Sequence, residues 1–114
     1  MLHVCGNVAH IFPKLIEFNV DVLEHEFAAH PEQLEVIKEY DFPQVLGYGC
    51  VRSDSERVED VGEIVRAIQC AVEFFGKGKL MINPDCGLRH LSENAAYRKL
   101  LNMVRARDEV MADG

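Results

Sequence analysis

Residues 58–83 read VEDVGEIVRAIQCAVEFFGKGKLMIN. Val61, Ile64, Val65, Ile68, Val72 and Phe75 recur at the spacing of one helical face, which predicts a helix from Val58 to Phe75. Gly76 and Gly78 suit its end. Lys79-Leu80-Met81-Ile82-Asn83 follows as a short strand, stopped by Pro84 and Gly87. A helix, a glycine turn and an apolar strand form part of a β-α-β unit, and the pattern repeats outward from here. Strands are expected at Met1–Cys5, Val20–Phe27 and Gln44–Val51. Helices are expected at His10–Asn19, with Pro13 in its first turn, and at Pro31–Tyr40, with Leu34 and Ile37 inward. A last helix runs from Ser92 to about Val110, with Ala96, Leu100, Met103 and Val104 as its stripe, and the final few residues fray.

The order is β-α-β-α-β-α-β-α. Such alternation implies an α/β fold with a parallel sheet and right-handed crossovers. The sheet is either an open doubly wound layer or part of a (β/α)8 barrel. A whole barrel takes about 250 residues. This chain has 114 and four β-α units, so it is read as one domain, 1–114, equal to half of a barrel. Half a barrel leaves two strand edges and one sheet face without partners. The chain then pairs with another, is a fragment, or has an open sheet.

Composition narrows the function classes. Hydrophobic residues make up 48% and charged residues 27%, a globular balance. Asp plus Glu outnumber Lys plus Arg by 19 to 12, for a net charge of −7. Nucleic acids and anionic membranes both require a basic face, so neither is an expected partner. No apolar run approaches the roughly 18 residues of a membrane span. The N-terminal residues lack the pattern of a signal peptide, and a cytoplasmic location is expected. The four cysteines, Cys5, Cys50, Cys70 and Cys86, form no CxxC pair. In a reducing compartment they are core residues, metal ligands or catalytic groups.

Chemistry gathers at the C-terminal ends of the strands, where parallel α/β folds bind ligands. The first strand ends in His3-Val4-Cys5 and the second in Glu24-His25-Glu26. The third runs into Arg52-Ser53-Asp54, and the fourth ends in Asn83-Pro84-Asp85-Cys86-Gly87. Residues two apart on a strand face the same way, so His3 pairs with Cys5 and Glu24 with Glu26. Imidazole, thiolates and a carboxylate make a zinc shell, and ligands scattered over several strands suit a catalytic ion better than a structural one. Each residue also has an ordinary explanation: an HxC is common, Cys86 fits a tight turn as a small side chain, and either Glu fits a solvated strand end. Cys50 and Cys70 read as structural. His10, His25, His30 and His90 have no partner spacing, and His30 and His90 read as surface residues.

Four segments then carry a resemblance: His3-Val4-Cys5-Gly6-Asn7, Val20 to Ala28, Asn83 to Arg89, and Leu101-Asn102-Met103-Val104. In this order and spacing they resemble the C-terminal part of cobalamin-independent methionine synthase, above all the short archaeal members, across essentially the whole chain. The resemblance implies half of a (β/α)8 TIM barrel that takes part in methyl transfer to the thiol of homocysteine. It implies zinc (Zn2+) held by His3, Cys5, Glu26 and Cys86, and it is the resemblance that selects Glu26 over Glu24. Asp85, next to Cys86, is the candidate catalytic-site residue for orienting a ligand or the substrate.

Two departures refine the expectation. Long family members carry Asp-x-His after the third strand, with the His implicated in acid catalysis; here the segment is Arg52-Ser53-Asp54. A methylated corrinoid donor therefore fits better than a folate-type donor. The chain also begins at the HxC strand, without the half-barrel that holds the amino-acid part of homocysteine in the family. Isolated, it is expected to bind zinc without transferring methyl groups. Association with an N-terminal half-barrel is the first expectation, and a non-catalytic zinc-binding homodimer is the alternative.

Overall fold

The computed structural model describes residues 1–112. Four parallel strands, β1 (Leu2–Val4), β2 (Val22–His25), β3 (Val45–Val51) and β4 (Leu80–Pro84), lie side by side in sequence order. Between and after them run helices α1 (Phe12–Leu15), α2 (Gln33–Ile37), α3 (Val61–Phe75) and α4 (Glu93–Ala112). Short 3-10 turns precede α1 at Ala9–Ile11 and β4 at Lys77–Lys79.

One apolar core joins all four helices to alternate strand residues. Phe12, Leu34, Ile64, Ile68, Ala71 and Met103 pack with Leu23, Leu46, Tyr48 and Cys50. Among the described residues no helix covers the opposite sheet face, and Met81 of β4 stands 47% exposed. A doubly wound sheet reverses its strand order and is covered on both faces. Sequential order with helices on one face is the arrangement of a barrel segment. Fully burying one Leu or Ile side chain contributes roughly 1.5–3 kcal/mol, so this one-sided core carries most of the stability.

The helices before β3 are much shorter than their apolar spacing predicts. Pro13 sits in the first turn of α1. The Gln44 side-chain amide then takes the carbonyls of Ile16 and Phe18, where a continuing helix would need them. α2 spans five residues between two pinned loops. Gln33, fully buried, accepts from the Val8 backbone N–H and donates to the Glu26 carbonyl. α3 starts at Val61 rather than Val58, because Asp60 and Glu63 form a reciprocal capping box. Gly76, at φ 82°, closes it in a conformation that disfavours a side chain.

In α4 the expected stripe is rotated. Ala95, Lys99, Met103, Ala106 and Val110 are buried, whereas Leu100 and Val104 are about 40% exposed. The cause is a buried charge. Lys99 Nζ donates to Glu59 Oε1 at 2.9 Å and to the Arg57 carbonyl at 2.6 Å, turning its face inward. α4 continues through Ala112, two residues past its expected end, and residues 113–114 of the expected frayed end lie outside the described residues. Cys50 is buried as expected; Cys70 is exposed on α3 and is no part of the core. His90 is exposed and His30 half-buried, while His25 is fully buried against Phe12 and Phe27.

Gly49 is required by close packing. A Cβ there would collide with the Asp85 carboxylate and lie 2.6 Å from the His25 carbonyl oxygen. Gly49→Ala is expected to cost about 1–3 kcal/mol by overpacking, read from the denaturant midpoint. Gly78→Ala, with no atom within 4 Å of its new Cβ, is the near-neutral control.

Candidate metal centre

Strand register brings the polar strand ends together. His3 lies in β1 and pairs with Glu24 of β2. Cys5 follows β1 directly, Glu26 follows β2, and Cys86 comes two residues after β4. One ligand atom from each of His3, Cys5, Glu26 and Cys86 falls within 4.8 Å of the others. Cys5 Sγ is 3.7 Å from Cys86 Sγ and 3.4 Å from His3 Nε2.

These spacings test the donor set. With bonds of about 2.3 Å to sulfur and about 2.05 Å to nitrogen, a tetrahedral zinc ion separates two sulfurs by about 3.8 Å and sulfur from nitrogen by about 3.6 Å. The observed 3.7 and 3.4 Å agree to within about 0.2 Å, so Cys5, Cys86 and His3 fit one tetrahedral ion, with a Glu26 oxygen within 4.8 Å of them. Cys5 and Cys86 are both free thiols.

The electrostatics point the same way. The Cys5 thiol is pushed up to about 11, chiefly by its hydrogen bond with Cys86, then by burial and by Glu26. Crowded anions keep their protons unless a cation offsets them. Cation binding here must therefore release protons, as thiolate sites do.

Asp85 stands beside this group with its carboxylate turned away from it. Oδ1 and Oδ2 accept the backbone N–H groups of Ala28 at 3.0 Å and Ala29 at 2.8 Å. The loop carrying Glu26 is thereby tied to the loop carrying Cys86. Burial lifts Asp85 to about 6 against the pull of those two N–H groups.

After β3, Arg52 and Asp54 form a two-pronged pair at 2.7 and 2.8 Å. The guanidinium holds Asp54 below the ordinary carboxylate range. Glu59, whose other oxygen meets Lys99, accepts the Arg52 backbone N–H at 2.8 Å and anchors the start of this loop. Glu59, Lys99 and Gln33 escaped the sequence reading. Glu59 lies just ahead of a helix start, and nothing in the local pattern marks Lys99 or Gln33 as buried.

Fold and site together define a segment of a parallel α/β barrel, with two cysteines, a histidine and a glutamate clustered at the C-terminal ends of its strands. Residues 1–109 match the family described as "Cobalamin-independent synthase, Catalytic domain". The chain is 44% identical over 106 residues to methionine synthase of Methanothermobacter thermautotrophicus, covering 92% of this chain and 34% of that protein. It is 38% identical over 114 residues to methionine synthase of Methanocaldococcus jannaschii, covering 92% and 36%. The structure of a B12-independent methionine synthase from Shewanella sp. W3-18-1 in complex with selenomethionine superposes with a TM-score of 0.68. That match is 24% identical and covers 90% of this chain and 31% of that one. The chain belongs to the cobalamin-independent methionine synthase family, and it spans about a third of the length of the curated relatives it matches.

Asp85→Asn keeps one acceptor oxygen and forfeits one of two N–H bonds, a cost of about 1 kcal/mol. Because burial raises the folded pKa above 3.8 to about 6, the wild-type contribution is full below 3.8 and lost as pH rises through about 6. The variant cannot ionise, so its stability relative to wild type is expected to rise between about pH 4 and about pH 7 in paired denaturant titrations.

Proposed function

We propose that this chain is the zinc-holding part of a methyltransferase site that converts homocysteine to methionine. The observation that carries the reading is the cluster of four metal-ligating side chains with ligand atoms within 4.8 Å of one another, in a chain belonging to this family. His3, Cys5, Glu26 and Cys86 would hold the ion. Bound zinc would lower the pKa of the homocysteine thiol, so that the thiolate forms near neutral pH.

The protein's own residues divide the remaining work. Glu26 is the exchangeable oxygen ligand among softer donors. Asp85 orients the ligands by clamping the two loops that present Glu26 and Cys86. In the transfer, sulfur forms a bond to the methyl carbon as the donor–carbon bond breaks, and the bonding pair leaves with the donor. A folate-type donor leaves as an amine and needs a proton. Asp54, held ionised by Arg52, does not supply one. A methylated corrinoid leaves without protonation and suits this site better.

The uncovered sheet face and the free edges of β1 and β4 call for four further β-α units. An N-terminal half-barrel corresponding to the rest of the relatives would supply them, along with the site for the amino and carboxylate groups of homocysteine. The chain works in the cytoplasm, without nucleic acid or membrane partners. Its two free edges also suit closure with a second copy into an eight-stranded, non-catalytic zinc module.

Elemental mass spectrometry of the reduced chain should find about one zinc per chain, lost in Cys86→Ser. No zinc in the wild type would remove the proposal. Methyl transfer should be absent in the isolated chain and appear on adding the N-terminal two thirds of an archaeal relative. Sedimentation as a stable dimer that the added half does not dissociate would favour the self-assembled module.

A further inference from the structure

We infer that Glu24 is a positioning residue that fixes which nitrogen of His3 faces the metal cluster; this rests on the zinc reading above. The two nitrogens of the His3 ring point to different neighbours. Nε2 is 3.4 Å from Cys5 Sγ, inside the cluster. Nδ1 is 2.8 Å from Glu24 Oε1. The carboxylate oxygen lies off the N–H axis, and no other group hydrogen-bonds this buried nitrogen among the described residues. Glu24 is the carboxylate in contact with that nitrogen.

A neutral imidazole carries one N–H. A carboxylate beside Nδ1 places the proton there and leaves the Nε2 lone pair directed at the thiols. Metal-binding histidines commonly use a carboxylate in this way, which sets the tautomer and raises ligand basicity. Glu24 is outside the four-residue cluster itself, so it is a supporting group rather than a fifth ligand.

The fold makes room for this arrangement. β1–β2 register sets His3 opposite Glu24, and β2–β3 register sets Glu24 opposite Gly47. A Cβ on Gly47 would sit 3.0 Å from both Cβ and Cγ of Glu24 and 3.0 Å from Asn83 Oδ1. Glycine at 47 thus leaves the space that the stem of Glu24 occupies. The two acids of Glu24-His25-Glu26 share one face but have separate tasks: Glu26 reaches the cluster, and Glu24 reaches back to the histidine.

The test combines a tautomer reading with a metal reading on the full chain. Long-range 1H–15N spectra of histidine-labelled protein, with His3 assigned by its loss in His3→Ala, should show the Nδ1–H tautomer in metal-free wild type. Glu24→Ala should shift it toward a mixture, whereas Glu24→Gln, whose amide oxygen still accepts, should keep it. Zinc affinity, measured by chelator competition, should fall about 10–100-fold in Glu24→Ala and less in Glu24→Gln. The cobalt-substituted absorption spectrum should change in Glu24→Ala, and the thermal midpoint should report whether each variant is folded. Gly47→Ala, with Glu24 intact but its stem displaced, should weaken zinc in the same direction. Zinc bound equally well in wild type and Glu24→Ala, with the same His3 tautomer, overturns this inference and leaves the zinc reading standing. Absence of zinc in wild type defeats the zinc reading, and an Nε2–H tautomer in metal-free wild type overturns the role of Glu24 whatever the metal result.

Discussion

Two thiols and a carboxylate gathered around an imidazole, with ligand atoms inside 4.8 Å, cannot all be anionic in the absence of a compensating cation. Much of the surrounding structure is arranged around that constraint. Parallel pairing of β1 and β2 sets His3 beside Glu24, and Cys5 and Glu26 leave the same strand ends. Cys86 reaches them from β4, two strands beyond β2 in the sheet order. Bringing such groups together costs free energy, and the core and the loop anchors supply the offset.

Those anchors are buried polar side chains more than secondary structure. Gln33 ties the loop after β1 to the turn after β2. Asp85 ties that same turn to the loop after β4. Glu59 and Lys99 tie the loop after β3 to α4. Each anchor is satisfied by hydrogen bonds, as buried polar groups must be, and each replaces backbone regularity that the short α1 and α2 cannot provide. Truncating one partner of such a pair leaves the other unpaired, which costs more than the net worth of the bond. The rigidity of this rim is therefore concentrated in a few side chains.

The alternation of strands and helices was legible because apolar spacing reports which side of an element meets the core. α3 was the clearest case, with its capping box and glycine stop both written in the local sequence. α4 was misread by rotation, because Lys99 occupies a core position and pattern reading assigns charge to solvent. The lengths of α1 and α2 were overestimated for a related reason: Gln44 and Gln33 end or pin them through contacts distant in sequence. At the metal centre, the strand-end pattern singled out His3, Cys5 and Cys86 with either Glu24 or Glu26, the family resemblance selected Glu26, and the ligand atoms of the four lie together. What separates Glu24 from Glu26 is the direction of each side chain relative to a neighbouring strand. Spacing along one strand carries no such information.

The one-sided core has a thermodynamic consequence. A sheet with helices on one face and open edges gains stability from whatever comes to cover the other. By mass action, a cover present at about a hundred times its dissociation constant adds about 2.7 kcal/mol, a large share of the net stability of a small domain. The melting temperature of this unit is then a property of a mixture and its concentrations, and a midpoint measured at one dilution does not transfer to another.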